Sequence, residues 1–140
     1  MSEKRAYLDT SAYLGILLGA SQAMPFVKAI SVHILCSSTL LLIEAERNLI
    51  RLVRQKEISE AIYEEAFDQL AIDREGFVLR DLTPDLCLTR NFPAVRTPKS
   101  ADLIHLRTGK WFLEHGGLNL FLSLDKDQLR SAGEFGLPIF

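Results

Sequence analysis

The sequence predicts an α/β protein with a mainly parallel sheet covered by helices on both faces. Three observations predict it. Short apolar runs (Ala6–Leu8, His33–Cys36, Phe77–Leu79 and Leu118–Leu122) alternate with longer stretches of helical periodicity. Glycine and proline punctuate the joints, as at Gly19, Pro25, Gly76, Pro84, Pro98 and Gly116-Gly117. Polar helix-starting residues follow several of the runs directly: Asp9, Ser37-Ser38 and Asp125. Parallel strands joined by helices cross over right-handedly, so strand ends and the helix starts after them collect along one edge.

Each element has its own signal. After the first strand, a helix near Ser11–Leu18 stops at Gly19. Met24–Ile30 reads as a short second helix with Pro25 near its start. The second strand, His33–Cys36, is ended by Ser37 and Ser38, which can cap a long helix over Thr39–Gln55. Ser59 is the predicted N-cap of a fourth helix, in which Tyr63, Phe67 and Leu70 recur at helical spacing and which Gly76 ends. Phe77–Leu79 is a third strand. Thr83-Pro84 and Thr97-Pro98 open a fifth and a sixth helix, the latter running to Glu114. Leu118–Leu122 is a fourth strand, Asp125 starts the last helix, and Leu137–Phe140 can form a closing strand.

At 140 residues, 48% hydrophobic and 24% charged, the chain suits one domain with a substantial core. A net charge of −2 argues against a DNA-coating protein but leaves room for a local basic rim beside an acidic site. Cys36 and Cys87 have no Cys or His neighbours at zinc-site spacing, so a reduced, cytoplasmic chain is expected. Met1-Ser2-Glu3-Lys4 lacks the apolar run of a signal peptide, and Leu40–Ile43 is too short to span a bilayer.

Four acids stand at comparable places in this plan. Asp9 ends the first strand, Glu44 lies in the first turns after the second, Asp102 lies in the first turns of the sixth helix and Asp125 follows the fourth strand. Each also has a plain structural reading. Asp9 and Asp125 are good N-caps, and Gln128 is spaced to complete a capping-box-like pair with Asp125. Asp102 suits the positive end of its helix, and Glu44 suits a helix surface. Together the plain readings weaken, because four acids on one edge repel one another unless a cation joins them. Oxygen-only ligation suits Mg²⁺ or Mn²⁺ rather than zinc.

Two neighbours compete. Glu44 shares a helical face with Leu40, Leu41, Arg47, Asn48 and Arg51, which turns polar and fits a site wall. Glu46 shares one with Leu42, Ile43, Leu49, Ile50 and Val53, which reads as core. Geometry alone leaves that choice open. Asp125 is nearer its strand end than Asp127 and is preferred.

Four segments together resemble the PIN domain, and within it the VapC toxins of toxin–antitoxin pairs. They are Tyr7-Leu8-Asp9-Thr10-Ser11-Ala12, Ser37-Ser38-Thr39 through Arg47, Ser100-Ala101-Asp102-Leu103-Ile104-His105-Leu106, and Leu122-Ser123-Leu124-Asp125 followed by Gly136-Leu137-Pro138-Ile139. The resemblance runs nearly end to end as one domain over residues 1–140. It selects Glu44 over Glu46 and Asp125 over Asp127. Ser123 stands where many members have threonine, which keeps the hydroxyl. Arg107-Thr108-Gly109 departs from the small residues usual there.

The resemblance implies a three-layer α/β/α sandwich with a mainly parallel sheet of four to five strands. It implies a Mg²⁺-dependent endoribonuclease, Mn²⁺ substituting, that cleaves structured RNA such as tRNA or ribosomal RNA and stops translation. It further implies a homodimer held inactive by a VapB antitoxin. Asp9, Glu44, Asp102 and Asp125 would be catalytic and would hold one or two ions. Thr10, Ser11 and Ser123 would orient them by hydrogen bonds, the competing role for these hydroxyls being helix capping. Arg47, Arg51 and Lys99 would contact phosphates, with Arg96 and Arg107 also flanking Asp102. His105, one turn beyond Asp102, reads as a packed or supporting histidine before a general base. Tyr13, Trp111 and Phe112 read as core or dimer contacts. The alternatives are a PIN-like nuclease in RNA processing and a catalytically inactive PIN-like binding module.

Overall fold

In the computed structural model, which describes residues 3–89, 94–95 and 99–140, the first strand, β1 (Arg5–Leu8), lies inside the sheet with Ala6, Tyr7 and Leu8 all buried. A strand covered on both faces reads as a continuous apolar run, as this one does. α1 (Thr10–Leu17) follows at once and ends at Gly19, whose φ of +71° is the left-handed conformation that closes a helix. A 3₁₀ turn at Ser21–Ala23 leads into α2 (Met24–Ile30), with Pro25 in its first turn. β2 (Ile34–Ser38), α3 (Leu40–Arg54) and α4 (Glu60–Asp73) come next. Ser59 caps α4 as expected, its hydroxyl accepting the Ile62 N–H at 3.1 Å. β3 (Val78–Arg80), α5 (Pro84–Cys87), α6 (Ser100–Glu114), β4 (Leu120–Leu122) and α7 (Lys126–Glu134) complete the order. The expected Thr97-Pro98 start of α6 lies outside the described residues.

The four strands are parallel in the order β3-β2-β1-β4. One core packs α1, α2, α3 and α4 against Ala6, Leu8 and Leu122. The other packs α6 and α7 against Tyr7, Cys36 and Phe121. The result is a three-layer α/β/α sandwich. Strand order reverses at β1, since the chain steps to β2 and β3 on one side and returns to β4 on the other. The carboxyl edge beside such a reversal is where open α/β sheets form their crevices.

The structure departs from the sequence reading in three places. β2 runs on through Ser37 and Ser38. Ser38 Oγ still accepts the Leu40 N–H at 3.1 Å, but Ser37 donates across the sheet to the Leu8 carbonyl at 2.7 Å. The closing strand shrinks to one bridge between Phe121 and Ile139, with Phe121 N–H donating to Pro138 O at 2.6 Å. Pro138 has no N–H to extend a ladder. On α3, Ile43 (65% exposed) and Ile50 (39% exposed) face outward rather than into the core. The buried stripe is Leu41, Ala45 and Leu49.

Arg5 closes the far end of α6. Its guanidinium group donates to the carbonyls of Phe112 (2.8 Å), His115 (2.7 Å) and Gly117 (2.7 Å). Gly116, at φ +105°, leaves room for it, since a Cβ there would stand 2.9 Å from Arg5 Nη2. Arg5→Met should therefore destabilise the fold by about 1.5–3 kcal/mol, the range for hydrogen bonds from a charged donor. A urea titration should show a lower midpoint at unchanged slope. No single helix among the described residues is long and apolar enough to cross a membrane.

Candidate active site

Four elements deliver one acid each to the same cleft, of about 190 Å³, at the carboxyl edge of the sheet. Asp9 comes from the end of β1, Glu44 from early α3, Asp102 from the first turn of α6 and Asp125 from the β4–α7 junction. Thr10, Ser11, Asn48 and His105 also line it, whereas Glu46 and Asp127 do not. Asp9 is the deepest of the acids, 4% exposed, and Asp125 is at the rim.

Capping and cleft-lining coexist. Asp9 Oδ1 accepts from Ala12 N–H (3.0 Å) and from the Ser11 hydroxyl (2.7 Å). Asp125 Oδ1 accepts from Asp127 N–H (2.9 Å) and Gln128 N–H (3.3 Å). In both, these bonds fall on Oδ1, so capping does not consume the whole carboxylate. Gln128 does not complete the capping box. Its side chain turns away to donate to the Asp102 carbonyl at 3.0 Å, tying α7 to α6.

The hydroxyls expected to support the acids touch them or the loop that carries them. Thr10 donates to Glu44 Oε1 at 2.7 Å. Ser11, besides binding Asp9, accepts the Leu124 N–H at 2.9 Å and lies 3.2 Å from Ser123 Oγ. Ser123 accepts the Asp125 N–H at 3.0 Å. The two serines thus join the end of β1 to the loop bearing Asp125. His105 is 2% exposed, with Nε2 at 2.7 Å from Glu44 Oε1.

The electrostatics are those of an anion cluster. Burial raises the Asp9 carboxyl pKa, against opposing hydrogen bonds from Ser123, Ala12 N–H and Ser11. Burial also raises Asp102; Asp125's charge adds to the rise, and Lys99 opposes it. Glu44 behaves differently. Its partial burial pushes upward, but bonds from His105 and Thr10 and the charge of Arg47 bring it below the ordinary glutamate value. Acids with raised pKa values beside an ionised neighbour are the setting that a cation relieves. The all-oxygen acidic donors fit a hard divalent ion. Among the described residues, no three His, Cys, Asp or Glu side chains are already gathered into a metal cage.

Arg47, Arg51 and Lys99 are exposed and lie outside the cleft lining. Arg47's charge still reaches Glu44, and Lys99's reaches Asp102. Arg51 donates to Gln55 (3.2 Å) and Asn48 (3.4 Å). Arg107 donates to the Cys87 carbonyl, and Arg96 lies outside the described residues. Tyr13 and Phe112 are buried. Trp111 stacks on His115 at 4.4 Å and carries the Arg80 guanidinium on its ring at 4.7 Å. Sequence reasoning overlooked the Tyr7 hydroxyl, which lies 2.6 Å from His105 Nδ1.

A parallel α/β sheet with an acidic cleft at its strand-order reversal is the class that fold and site define. The family model for the PIN domain matches residues 6–134, and the chain belongs to that family. PIN domains are typically nucleases that act on RNA or other nucleic acids and generally use divalent metals. The crystal structure of PAE2754 from Pyrobaculum aerophilum is similar, with a TM-score of 0.52 over 94% of this chain and 87% of that one, at 14% identity. At that identity the likeness concerns the fold. No curated protein matches the sequence significantly.

Proposed function

We propose that the chain is a Mg²⁺-dependent endoribonuclease and the VapC-type toxin of a VapBC pair, cleaving structured RNA, tRNA or ribosomal RNA, and so inhibiting translation. The observation that carries the nuclease reading is the delivery of Asp9, Glu44, Asp102 and Asp125 to one cleft from four separate elements. The four-segment resemblance supports the toxin assignment, and with it a homodimer, a VapB-type antitoxin and a cytoplasmic setting.

These four acids would hold the metal, Mg²⁺ or Mn²⁺, which when bound would activate water and offset the charge on the scissile phosphate. The chain's own residues supply the order around it. Thr10 and His105 hold Glu44, while Ser11 and Ser123 hold Asp9 and the loop bearing Asp125. Arg47 and Arg51, on the Glu44 helix, and Lys99, at the start of α6, would offset the acids' repulsion of RNA by contacting phosphates.

Purified protein incubated with tRNA or ribosomal RNA should cleave it in Mg²⁺ or Mn²⁺, and EDTA should stop the cleavage. Expression should arrest growth, and co-expression of an adjacent antitoxin frame should relieve the arrest. Absence of both cleavage and Mn²⁺ binding overturns the nuclease reading in favour of an inactive binding module. Cleavage without arrest overturns the toxin reading alone.

A further inference from the structure

His105 is held between the buried Tyr7 and the half-buried Glu44, on opposite sides of its ring. Nδ1 lies 2.6 Å from the Tyr7 hydroxyl, while Nε2 lies 2.7 Å from Glu44 Oε1 and 3.2 Å from Thr10 Oγ1. Tyr7 is fully buried, stacked on Phe121 (5.2 Å between centroids, 3° between planes) and edge-on to His105 (5.8 Å). An ionised carboxylate only accepts hydrogen bonds, so Nε2 must carry the hydrogen that Glu44 receives. Thr10 already gives its own hydroxyl hydrogen to the same carboxylate oxygen. In a neutral ring Nδ1 is then an acceptor, and the Tyr7 O–H is its donor. Ser37 and Thr108, the other hydroxyls interacting with Tyr7, spend their hydrogens on the carbonyls of Leu8 (2.7 Å) and Ile104 (2.6 Å). Neither therefore supplies Tyr7 with a hydrogen; both oxygens could still accept one, but the short contact of the Tyr7 hydroxyl, at 2.6 Å, is to His105 Nδ1.

We propose that Tyr7, His105 and Glu44 form a tautomer relay, in which Tyr7 O–H sets His105 as the Nε2–H form and His105 in turn holds the Glu44 carboxylate against the acidic cleft. The proposal deepens the nuclease reading and rests on it for Glu44's role beside a metal. Tyr7 and His105 are positioning residues. Glu44 sits on a helix with its side chain still 23% exposed, and a long free carboxylate side chain gives up rotamer entropy when it is held. Two bonds to Oε1 hold it here. With the other tautomer, the Nε2 lone pair would face the carboxylate at 2.7 Å and repel it. The hydrogen bond at one ring nitrogen therefore decides what the other can do.

The test combines a spectrum with a titration. In metal-free wild type, ¹⁵N ring shifts of His105 should show the Nε2–H tautomer. Tyr7→Phe keeps the ring stack but removes the donor, and should bring the Nδ1–H form into view. In calorimetry with Mn²⁺, His105→Leu should weaken binding by about 10–100-fold, the usual cost of losing a ligand's supporting partner. His105→Gln, which can still offer an N–H to Glu44, should recover most of that loss. A wild-type ring protonated at Nδ1 alone or at both nitrogens overturns the relay. So does an unchanged spectrum in Tyr7→Phe, or a His105→Gln that binds as weakly as His105→Leu. If His105→Leu fails to fold, the Tyr7→Phe spectrum decides. A wild type that binds no Mn²⁺ overturns the metal reading, and the two spectra then still decide the relay.

Discussion

Asp9→Asn is expected to abolish metal-dependent RNA cleavage while leaving the protein folded and, without metal, more stable than wild type. The activity loss should exceed the roughly 100-fold that removing a supporting partner can cost, because Asp9 is the most buried acid in the cleft. The stability gain follows from the direction of its pKa. Burial raises that carboxyl above its ordinary value, so the folded chain holds the proton more tightly than the unfolded chain does. As pH rises through the ordinary carboxylate pKa and then the raised one, ionisation costs the folded state progressively more, and above the raised value the whole cost is present. Asparagine removes that charge yet keeps an oxygen for Ala12 N–H, and it is itself a good N-cap. Thermal melts should place the variant above wild type at neutral pH, with the gap closing as pH falls below the ordinary carboxylate range. Added Mg²⁺ should raise the wild-type Tm and leave the variant's in place. A variant that cleaves RNA at the wild-type rate removes Asp9 from the metal site.

Phe121→Ala should damage the fold severely. Phe121 is fully buried in β4, stacked on Tyr7, and so close to α6 that a Cβ on Gly109 would lie 3.0 Å from its ring. Phenylalanine-to-alanine changes in such cores cost about 3–5 kcal/mol, which for a domain of this size lowers Tm by on the order of 10 °C. The effect should reach the cleft as well. Tyr7 loses the surface it stacks on, and its hydroxyl is one bond from His105. Mn²⁺ affinity should therefore fall along with stability. A loss below about 1 kcal/mol in a urea titration would show that the core collapses around the gap and that the stack does not hold Tyr7 in place.

The acids differ in how readable they were. Asp9 and Asp125 were legible because a strand end followed by an N-cap is a local pattern, and both do cap their helices. Glu44 and Glu46 were not separable from periodicity, since Leu41, Leu42 and Ile43 put apolar groups around most of the first turn of α3. The sheet and α1 decided between them. Burying Leu41, Ala45 and Leu49 turns Glu44 to the cleft and Ile43 to solvent. Gln128 had the right spacing for a cap but found the Asp102 carbonyl, 26 positions away, instead.

By itself, the sequence determined the alternation of strands and helices, the caps at Asp9, Ser59 and Asp125, and the gathering of strand ends along one edge. Those features depend on neighbours a few residues apart and on the handedness of crossovers. Only the tertiary structure decided which acids line the cleft and what holds them. Tyr7 meets His105 across 98 positions, and His105 meets Glu44 across 61. Such bonds exist only where packed layers fix the distance between helices and sheet, and no local pattern encodes that distance.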